Sequence, residues 1–325
     1  MNGKYAILLS LVLLVQLLLP GCQASSSSPV TPSGASAVPA PGDEENAEPL
    51  TFGILYPMAH PYYEMMTTRM EESAKQHHIR LMVKAPAELN LEQQLLMMEN
   101  MIRQKVDAIA ISPIDSEQLA PVIDKAVQQG IPVICFEADV PLSKRASYIG
   151  ADAYQEGRLM GEMINKQLKG KGMIMIQGGL EQAVKEQTRL EGMLAFLKAN
   201  TKVQILEVRY HNGQSQLALE ELENMIDAHP HFDALVTLDM ISSSTSILVW
   251  KAQGLKRFAF SYGLTPEVKE ALINGQIHAV ISENEEQLGE RIITALLQAA
   301  AGTALPDWIN SRFQEITGQD LDGSL

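Results

Sequence analysis

With 325 residues, the chain is longer than one hydrophobic core usually serves, and its length favours about two folded lobes. Its 46% hydrophobic and 20% charged residues are typical of a globular protein and exclude a disordered or fibrous chain. The formal net charge is -14, from 25 basic and 39 acidic residues. This balance argues against nucleic-acid binding, which depends on clustered Lys and Arg to neutralise phosphates.

Residues 1–21 are predicted to form a lipoprotein signal peptide. The apolar run over residues 6–19 is shorter than the roughly 20 residues that a membrane-spanning helix needs. It ends in Leu19-Pro20-Gly21-Cys22, which resembles a bacterial lipobox although proline is unusual within that motif. Cys22 is therefore the expected lipidation site, and the protein is expected outside the cytoplasm, anchored to the cell membrane. The alternative is an ordinary signal peptide that happens to contain a cysteine.

The segment after the lipobox, residues 22–49, is rich in Ser, Pro, Ala and acidic residues and is predicted to be a disordered tether. The second cysteine, Cys135, is expected to remain unpaired. No Cys/His group has the spacing of zinc ligands. A lipid at one end and a flexible spacer behind it are typical of a folded module that captures something near a membrane surface.

From residue 50 onward, short apolar runs alternate with longer segments of helical period, which predicts a β-α-β series with parallel sheets and helices on both faces. The predicted strands span residues 50–56, 79–85, 108–112, 132–137, 172–177, 203–208, 234–238, 257–261 and 277–282. A helix is expected in every gap. In the second gap, Leu91, Leu95, Met98 and Ile102 form one apolar stripe, and Gln94 is predicted to lie off it.

In such sheets, ligands bind beyond the carboxyl ends of the strands. No glycine-rich phosphate loop follows a predicted strand, so nucleotide binding is not expected. His77-His78 is interpreted as a surface turn and His229-Pro230-His231 as a helix end, rather than as metal ligands. The serine-rich residues 242–246 are expected at a helix N-terminus, where capping is favoured over nucleophilic catalysis. We therefore expect no enzyme, no cofactor and no metal site.

Several segments resemble type I periplasmic binding proteins of the ribose-binding class, over about residues 50–320. The segments are Met58-Ala59-His60-Pro61-Tyr62-Tyr63, residues 107–116, residues 130–134, Ile149-Gly150-Ala151-Asp152 and Arg189-Leu190-Glu191-Gly192. The resemblance implies an α/β fold of two Rossmann-like lobes, whose parallel sheets are joined by a three-crossover hinge. Lobe one is then expected at residues 50–151 and 284–312, and lobe two at residues 152–283 and 313–325.

The resemblance also implies a ligand site in the cleft between the lobes. The residues at the family's ligand positions are His60, Tyr62, Tyr63, Glu137, Gln187, Asp239 and Glu283. His60 stands where the family has an Asn that bonds a sugar hydroxyl, and the two tyrosines replace Phe residues that stack on the ring. Both tyrosines are assigned to the ligand, since two adjacent aromatic residues on one helix are not expected to face the core together; the alternative is a pair of half-buried tyrosines on the first turn of a helix.

Other family positions have changed chemically. Ala138 and Gln187 stand where ligand-binding arginines are expected, so the fixed cationic donors are predicted to be lost. Gly263 stands at another ligand Asp position. Gly213 takes the place of a stacking Phe, for which Tyr210 or His211 could substitute.

The resemblance implies a solute-binding protein that captures a small polar, carbohydrate-like ligand by hinge closure and delivers it to an ABC permease. The alternative is a sensing module for a membrane receptor such as a two-component histidine kinase, without transport. Because Glu137, Asp239 and Glu283 would repel one another in one cleft, a donor-rich ligand is favoured: a sugar, a polyol or, best, an amino sugar or other amine.

Overall fold

The computed structural model describes residues 49–321, without the side chain of Glu286. The predicted signal peptide, the lipidation site Cys22 and the tether up to residue 48 lie outside the described residues. The strands are β1 (Thr51–Leu55), β2 (Arg80–Lys84), β3 (Ala108–Ile111), β4 (Val133–Phe136), β5 (Ser147–Gly150), β6 (Lys171–Gly178), β7 (Lys202–Tyr210), β8 (Ala234–Thr237), β9 (Phe258–Tyr262), β10 (Ala279–Ser282), β11 (Trp308–Asn310) and β12 (Gln314–Thr317). The helices are α1 (Pro61–Gln76), α2 (Leu91–Arg103), α3 (Ser116–Gln128), α4 (Ala153–Leu168), α5 (Val184–Asn200), α6 (Ser215–Ala228), α7 (Met240–Gln253), α8 (Pro266–Ile273), α9 (Glu285–Ala300) and α10 (Gly318–Leu321).

The strands form two six-stranded sheets with the same topology. The first has the order β11-β5-β4-β3-β1-β2 and the second the order β12-β10-β9-β8-β6-β7. Within the described residues, all paired strands are parallel except β10 and β12, which are antiparallel. Each sheet reverses direction beside its first strand, which is the switch point where ligands bind in doubly wound folds.

Alternating side chains of each strand explain why helices cover both faces of a sheet. In β3, Ala108 and Ala110 pack in the cluster formed with α1 and α9, whereas Ile109 and Ile111 pack in the cluster formed with α2 and α3. Neighbouring residues of a strand point to opposite faces, so a strand covered on both sides is apolar throughout. All four residues of β3 are fully buried.

The chain passes between the two sheets three times. The first passage follows β5 and leads to α4, which packs against α5. The second follows β10 and leads to α9, which packs against α1. The third joins β11 of the first sheet to β12 of the second. The fold is therefore two α/β lobes joined by three crossovers, as predicted.

The nine predicted strands are all present, but β5, β11 and β12 were not predicted as strands. Each has only three or four residues, and Trp308 and Asn310 of β11 are exposed. Such short strands carry too little apolar periodicity to be recognised, and their place depends on pairing with strands distant in the sequence. A helix is present in every gap between the predicted strands, as expected, and the gap that holds β5 also contains α4.

Gln94 corrects the predicted pattern of α2, because this polar side chain is fully buried. Its Nε2 donates to the carbonyl oxygens of Tyr56 at 3.2 Å and Ser112 at 2.8 Å. Its Oε1 accepts a 3.0 Å hydrogen bond from the backbone N–H of Ile114. One side chain thus joins the loops that follow β1 and β3, at the edge of the sheet where the site lies.

Two glycines allow α4 and α5 to cross closely. A Cβ atom on Gly157 would lie 1.9 Å from the carbonyl oxygen of Arg189, and one on Gly192 would lie 2.1 Å from that of Tyr154.

Among residues 49–321, no helix combines the length and the apolar character that crossing a bilayer requires.

Candidate functional site

The carboxyl ends of strands from both sheets meet around one cavity of about 170 Å³. This is smaller than the roughly 300–1,000 Å³ of pockets for drug-sized ligands, so the space suits a small molecule. The two lobes touch around it: a Cβ atom on Gly263 of the second lobe would lie 3.7 Å from the Tyr62 ring of the first. The predicted site residues in its wall are Tyr62, Tyr63, Glu137, Asp239 and Glu283.

Tyr62 and Tyr63 begin α1 and are both buried, with 4% and 5% of their surfaces exposed. Their rings meet edge to face at 5.1 Å, and Tyr63 also lies 4.5 Å from the ring of Tyr56. The expectation that adjacent aromatic residues cannot both be buried was therefore wrong. The first turn of α1 is covered by its own lobe on one side and by the opposing lobe on the other. Both rings line the cavity.

His60 has a structural contact at this helix end. It is the N-cap of α1, and its Nδ1 accepts a 3.2 Å hydrogen bond from the backbone N–H of Tyr62. Burial lowers the pKa of this imidazole, against the opposing charges of Glu267 and Asp239. The half-buried His60 lies beside the cavity and does not line it.

Glu137 follows β4 with a φ of +60°, a left-handed conformation that is uncommon for residues other than glycine. Such conformations concentrate at functional sites, where the surrounding structure holds them. Its Oε2 accepts a 3.0 Å hydrogen bond from the Ser112 hydroxyl. Burial raises the pKa of the Glu137 carboxyl, against the opposing charge of Lys185. Glu137 therefore presents a strained, partly desolvated acceptor to the cavity.

Asp239 caps the N-terminus of α7, where the serine-rich segment was predicted to begin a helix. It accepts hydrogen bonds from the backbone N–H groups of Ile241 at 2.8 Å and Ser242 at 3.2 Å. Nε2 of the buried His211 lies 3.2 Å from both of its carboxylate oxygens. Burial disfavours the charged form, but the hydrogen bonds from His211 and Ser242 outweigh it and lower the pKa of Asp239.

Glu283 contacts all three passages between the lobes. It lies in the second passage itself, and its Oε2 accepts from the backbone N–H of Ala151 in the first at 3.2 Å and from the Ser311 hydroxyl in the third at 2.9 Å. Its Oε1 pairs with Lys185 Nζ at 2.5 Å and Arg189 Nη2 at 3.1 Å. Burial opposes ionisation, yet these two cations lower the pKa of Glu283 to about 2. The ionised carboxylate of Glu283 thus links the three passages to α5.

The prediction that the cleft has lost its cationic groups was wrong. Lys185 and Arg189 line the cavity, whereas Gln187 is exposed outside it and donates from Nε2 to the carbonyl oxygen of Glu181 at 2.5 Å. Positions 185 and 189 are four residues apart and share one face of α5, while position 187 lies on the opposite face. This spacing was the signal in the sequence that could have identified Lys185.

Glu186 is a further cavity residue that the sequence did not reveal. Its Oε2 accepts a 2.7 Å hydrogen bond from the backbone N–H of Gly179, just after β6. Burial, together with the nearby charge of Asp239, raises the pKa of Glu186 to about 8. A carboxyl group at the start of a helix is usually exposed to solvent, where it interacts favourably with the helix dipole. Only the tertiary structure shows that the Glu186 carboxyl faces the cleft.

The described part of the cavity wall carries more acidic than basic groups. The acidic groups are Glu137, Glu186, Asp239, Glu283 and Glu285, and the cationic groups are Lys185 and Arg189. Both cations pair with Glu283, and Arg189 also pairs with the buried Glu156 at 2.9 Å. Within residues 49–321, none of the other four wall carboxyls has a Lys or Arg ion pair. The wall therefore favours ligands that donate hydrogen bonds.

The histidine segments show no metal site. His77 and His78 are exposed in a turn, and His229 ends α6, as predicted. Over residues 49–321, no group of His, Cys, Asp and Glu has an arrangement that could hold a metal ion.

The structure has two lobes with the same strand order, three passages between them and a cavity that both lobes line. These are the features of a hinged binding protein. Residues 53–304 match the family described as periplasmic binding protein domain. The chain belongs to this family. The resemblance drawn from the sequence is thereby confirmed, and so is the fold of two α/β lobes.

Curated relatives of this periplasmic binding protein are binding proteins by name. The ribose import binding protein RbsB of Bacillus subtilis is 19% identical over 252 residues, 77% of this chain and 81% of that protein. The galactofuranose-binding protein YtfQ of Escherichia coli is 23% identical over 258 residues, 75% of this chain and 80% of that protein. These names agree with the prediction that the chain is not an enzyme.

Solved structures share the fold at low identity. An ABC transporter solute binding protein of Burkholderia graminis in complex with D-arabinose has a TM-score of 0.80 and 22% identity, covering 86% of this chain and 99% of that one. A periplasmic solute binding protein of Actinobacillus succinogenes with bound D-allose has a TM-score of 0.78 and 22% identity, covering 84% and 99%.

Proposed function

We propose that the protein is an extracytoplasmic solute-binding protein that captures a small, carbohydrate-like ligand in the cleft and delivers it to an ABC permease. The observation that carries this proposal is a small cavity whose wall is shared by both lobes. A ligand that contacts both lobes stabilises their closed arrangement, and the closed form is the state that a partner can recognise. The names of the relatives supply the carbohydrate class.

The cavity wall suits a ring that carries hydroxyl groups. Tyr62 and Tyr63 offer aromatic surface, on which the C–H face of a sugar ring can pack. Glu137, Asp239 and the other carboxyls accept hydrogen bonds from hydroxyl groups, and bonds to charged acceptors are about twice as strong as neutral ones. In this proposal His60 and Gln187 are not direct ligand contacts, and Lys185 and Arg189 take the donor role at the hinge.

The limits of the lobes remain part of the proposal: residues 50–151 with 284–312, and residues 152–283 with 313–325. They follow the three passages between the sheets, in which Glu283 contacts Ala151 and Ser311. Opening of the cleft would occur at these passages. Because the described chain connects the proposed lobes only at these passages, a hinge rotation leaves the sheet of each lobe intact.

The ligand is tested by a thermal-shift screen of the full chain against neutral pentoses, hexoses and polyols. A ligand at 100 times its dissociation constant stabilises the folded state by about 2.7 kcal/mol. Closure is measured on the same sample by small-angle scattering, as a decrease in the radius of gyration. We expect Glu137→Gln to weaken binding about tenfold, and Glu92→Gln, an exposed change on α2, to leave it unaltered. A screen with no stabilising carbohydrate would contradict the proposal.

Anchoring through a lipid on Cys22 is also proposed, from the lipobox resemblance alone. Labelling of producing cells with a fatty-acid analogue tests it, with Cys22→Ser as the matched control. Labelled protein in the membrane fraction is the expected result. Crosslinking of the ligand-bound protein in its own cells then separates a permease partner from a histidine kinase, and recovery of the kinase would favour the sensing alternative.

A further inference from the structure

From the geometry at Gly179, we propose that Glu186 and Asp239 form a subsite for a protonated amine of the ligand. This proposal rests on the cleft being the ligand site, and it narrows the ligand class from sugars and polyols to amino sugars and related polar amines.

The two carboxyl groups face one small space from different elements. Glu186 lies in the first turn of α5, and Asp239 precedes α7. A Cβ atom built on Gly179 would lie 3.0 Å from Oε1 of Glu186 and 3.3 Å from Cγ of Asp239. Gly179, Glu186 and Asp239 all line the cavity. A group bound at this end of the cavity therefore meets two carboxyls at once.

This pair differs from the other acidic end of the cavity. Glu283 forms ion pairs with Lys185 and Arg189. The positive charge of Lys185 also acts on Glu137, where it favours the ionised carboxylate. Over the described residues, neither Glu186 nor Asp239 forms an ion pair with Lys or Arg. Removing a carboxylate from water without a cationic partner is unfavourable. A cation supplied by the ligand would give Glu186 the cationic partner that it lacks among the described residues, whereas Asp239 already has His211 at 3.2 Å.

A second observation is an unsatisfied polar atom on another residue of the same cavity wall. His211 lies beside Asp239 with no exposed surface, and its Nδ1 has no hydrogen-bond partner among the described residues. Its Nε2 lies 3.2 Å from both carboxylate oxygens of Asp239 and is assigned as the N–H donor, and in that tautomer Nδ1 is an acceptor. Leaving a buried acceptor unpaired is unfavourable. His211 lines the cavity, so a ligand N–H is a suitable partner.

Proton release is the expected signature of such binding. The groups around the Glu186 carboxyl come from several elements. They are Asp239 at the start of α7, the backbone N–H groups of Gly179 and Leu180, Arg189 on the same helix and Tyr210 of β7. Burial and the charge of Asp239 raise the pKa of Glu186 to about 8, so this carboxyl holds a proton at pH 7 in the absence of a cation. A bound ammonium group favours the carboxylate and displaces that proton.

The experiment is calorimetric titration of the full chain at pH 7 with matched pairs: D-glucosamine and D-glucose, D-galactosamine and D-galactose, each with the N-acetyl form. Ethanolamine serves as an amine without a sugar ring. We expect at least one amino sugar to bind about tenfold or more tightly than its neutral partners. Glu186→Gln should bring the ratio of the two dissociation constants close to one. Glu181→Gln, an exposed change just before α5, should preserve the ratio.

A measurement on the unchanged protein covers the case in which Glu186→Gln does not fold. The apparent binding enthalpy is compared in MOPS and phosphate buffers, which differ in ionisation enthalpy and contain no primary amine. Amine binding should release a proton and give different heats, and neutral sugar binding should not. Equal heats for the amine contradict the subsite.

The remaining outcomes separate the two proposals. Neutral sugars that bind as tightly as the amino sugars overturn the amine subsite and leave the carbohydrate-binding function in place. Binding of ethanolamine without any carbohydrate overturns the carbohydrate-binding function and supports the subsite. Absence of binding by every probe contradicts both.

Discussion

The hydroxyl of Ser311 donates a 2.9 Å hydrogen bond to Oε2 of Glu283, and this contact joins the third passage between the lobes to the second. The same oxygen accepts from the backbone N–H of Ala151 in the first passage. One carboxylate therefore contacts all three passages between the lobes, and its other oxygen pairs with two cations of α5. In the proposed hinge motion these passages bend, so we expect the stability of the closed form to depend on the charge of Glu283.

Glu283→Gln should destabilise the protein by about 3 kcal/mol, because it leaves the cations of Lys185 and Arg189 without their shared carboxylate. The measurement is the free energy of unfolding from urea denaturation. Glu290→Gln, an exposed change on α9, is the matched control and should cost little. The double variant Glu283→Gln with Lys185→Gln should recover part of the loss. A loss below about 1 kcal/mol for the single variant would show that the ion pairs do not hold the hinge.

The free energy of unfolding should decrease in acid because Glu283 becomes protonated. The pKa of Glu283 is lowered to about 2 in the folded protein, by Lys185 and Arg189 against burial, and its ordinary value is 4.5. A lowered carboxyl pKa contributes stability above the ordinary value, and the contribution is lost as the pH falls from about 4.5 through about 2. At about 1.4 kcal/mol per pH unit, this is on the order of 3 kcal/mol. Urea denaturation between pH 2 and 6 should show a shallower decline in Glu283→Gln than in the wild type, and parallel curves would refute the assignment.

Gln94→Leu should lower the free energy of unfolding by about 3 kcal/mol, although leucine suits a buried helix position. The change leaves the carbonyl oxygens of Tyr56 and Ser112 and the N–H of Ile114 without their partner in a dry environment. Gln93→Leu, an exposed change at the neighbouring position, is the control. If Gln94→Leu were neutral or stabilising, the buried amide would not be what joins the loops after β1 and β3.

Gly157→Ala should destabilise the second lobe by about 2–3 kcal/mol, because the added methyl group would lie 1.9 Å from the carbonyl oxygen of Arg189 and push α4 away from α5. Helix propensity alone predicts the opposite sign, since alanine favours a helix by about 1 kcal/mol over glycine. Thermal denaturation decides between the two effects. Gln155→Ala, an exposed change on the same helix, should be close to neutral, and a raised melting temperature for Gly157→Ala would mean that the helices have room to separate.

Most of the strands could be predicted because they are buried on both faces. A run such as residues 108–112 is apolar throughout and is bounded by polar segments, which is a local signal. The three unpredicted strands lack that signal. Ser147, Trp308 and Gln314 begin segments whose extended form depends on pairing with distant strands.

The candidate site was predicted in part, according to where each residue lies. Glu137, Asp239 and Glu283 lie just after strands, and Tyr62 lies at the start of the helix that follows β1. The topology of a parallel sheet brings such positions to one edge. Gln187 was assigned by position in the family pattern, but a shift of two residues on a helix changes its face. Lys185 was therefore missed, and Gln187 was placed in the cleft where the structure shows it exposed.

The sequence by itself determined the class of fold, the family and the edge at which a ligand would be held, because apolar periodicity and strand order are local or cumulative along the chain. Only the tertiary structure decided which charged groups contact one another in the cleft. Whether a carboxyl meets a cation, a backbone N–H or another carboxyl depends on side chains that are far apart in sequence, as Glu186 and Asp239 are. The electrostatic energy of two groups varies with their separation and burial, and both depend on how the two lobes pack around the cavity.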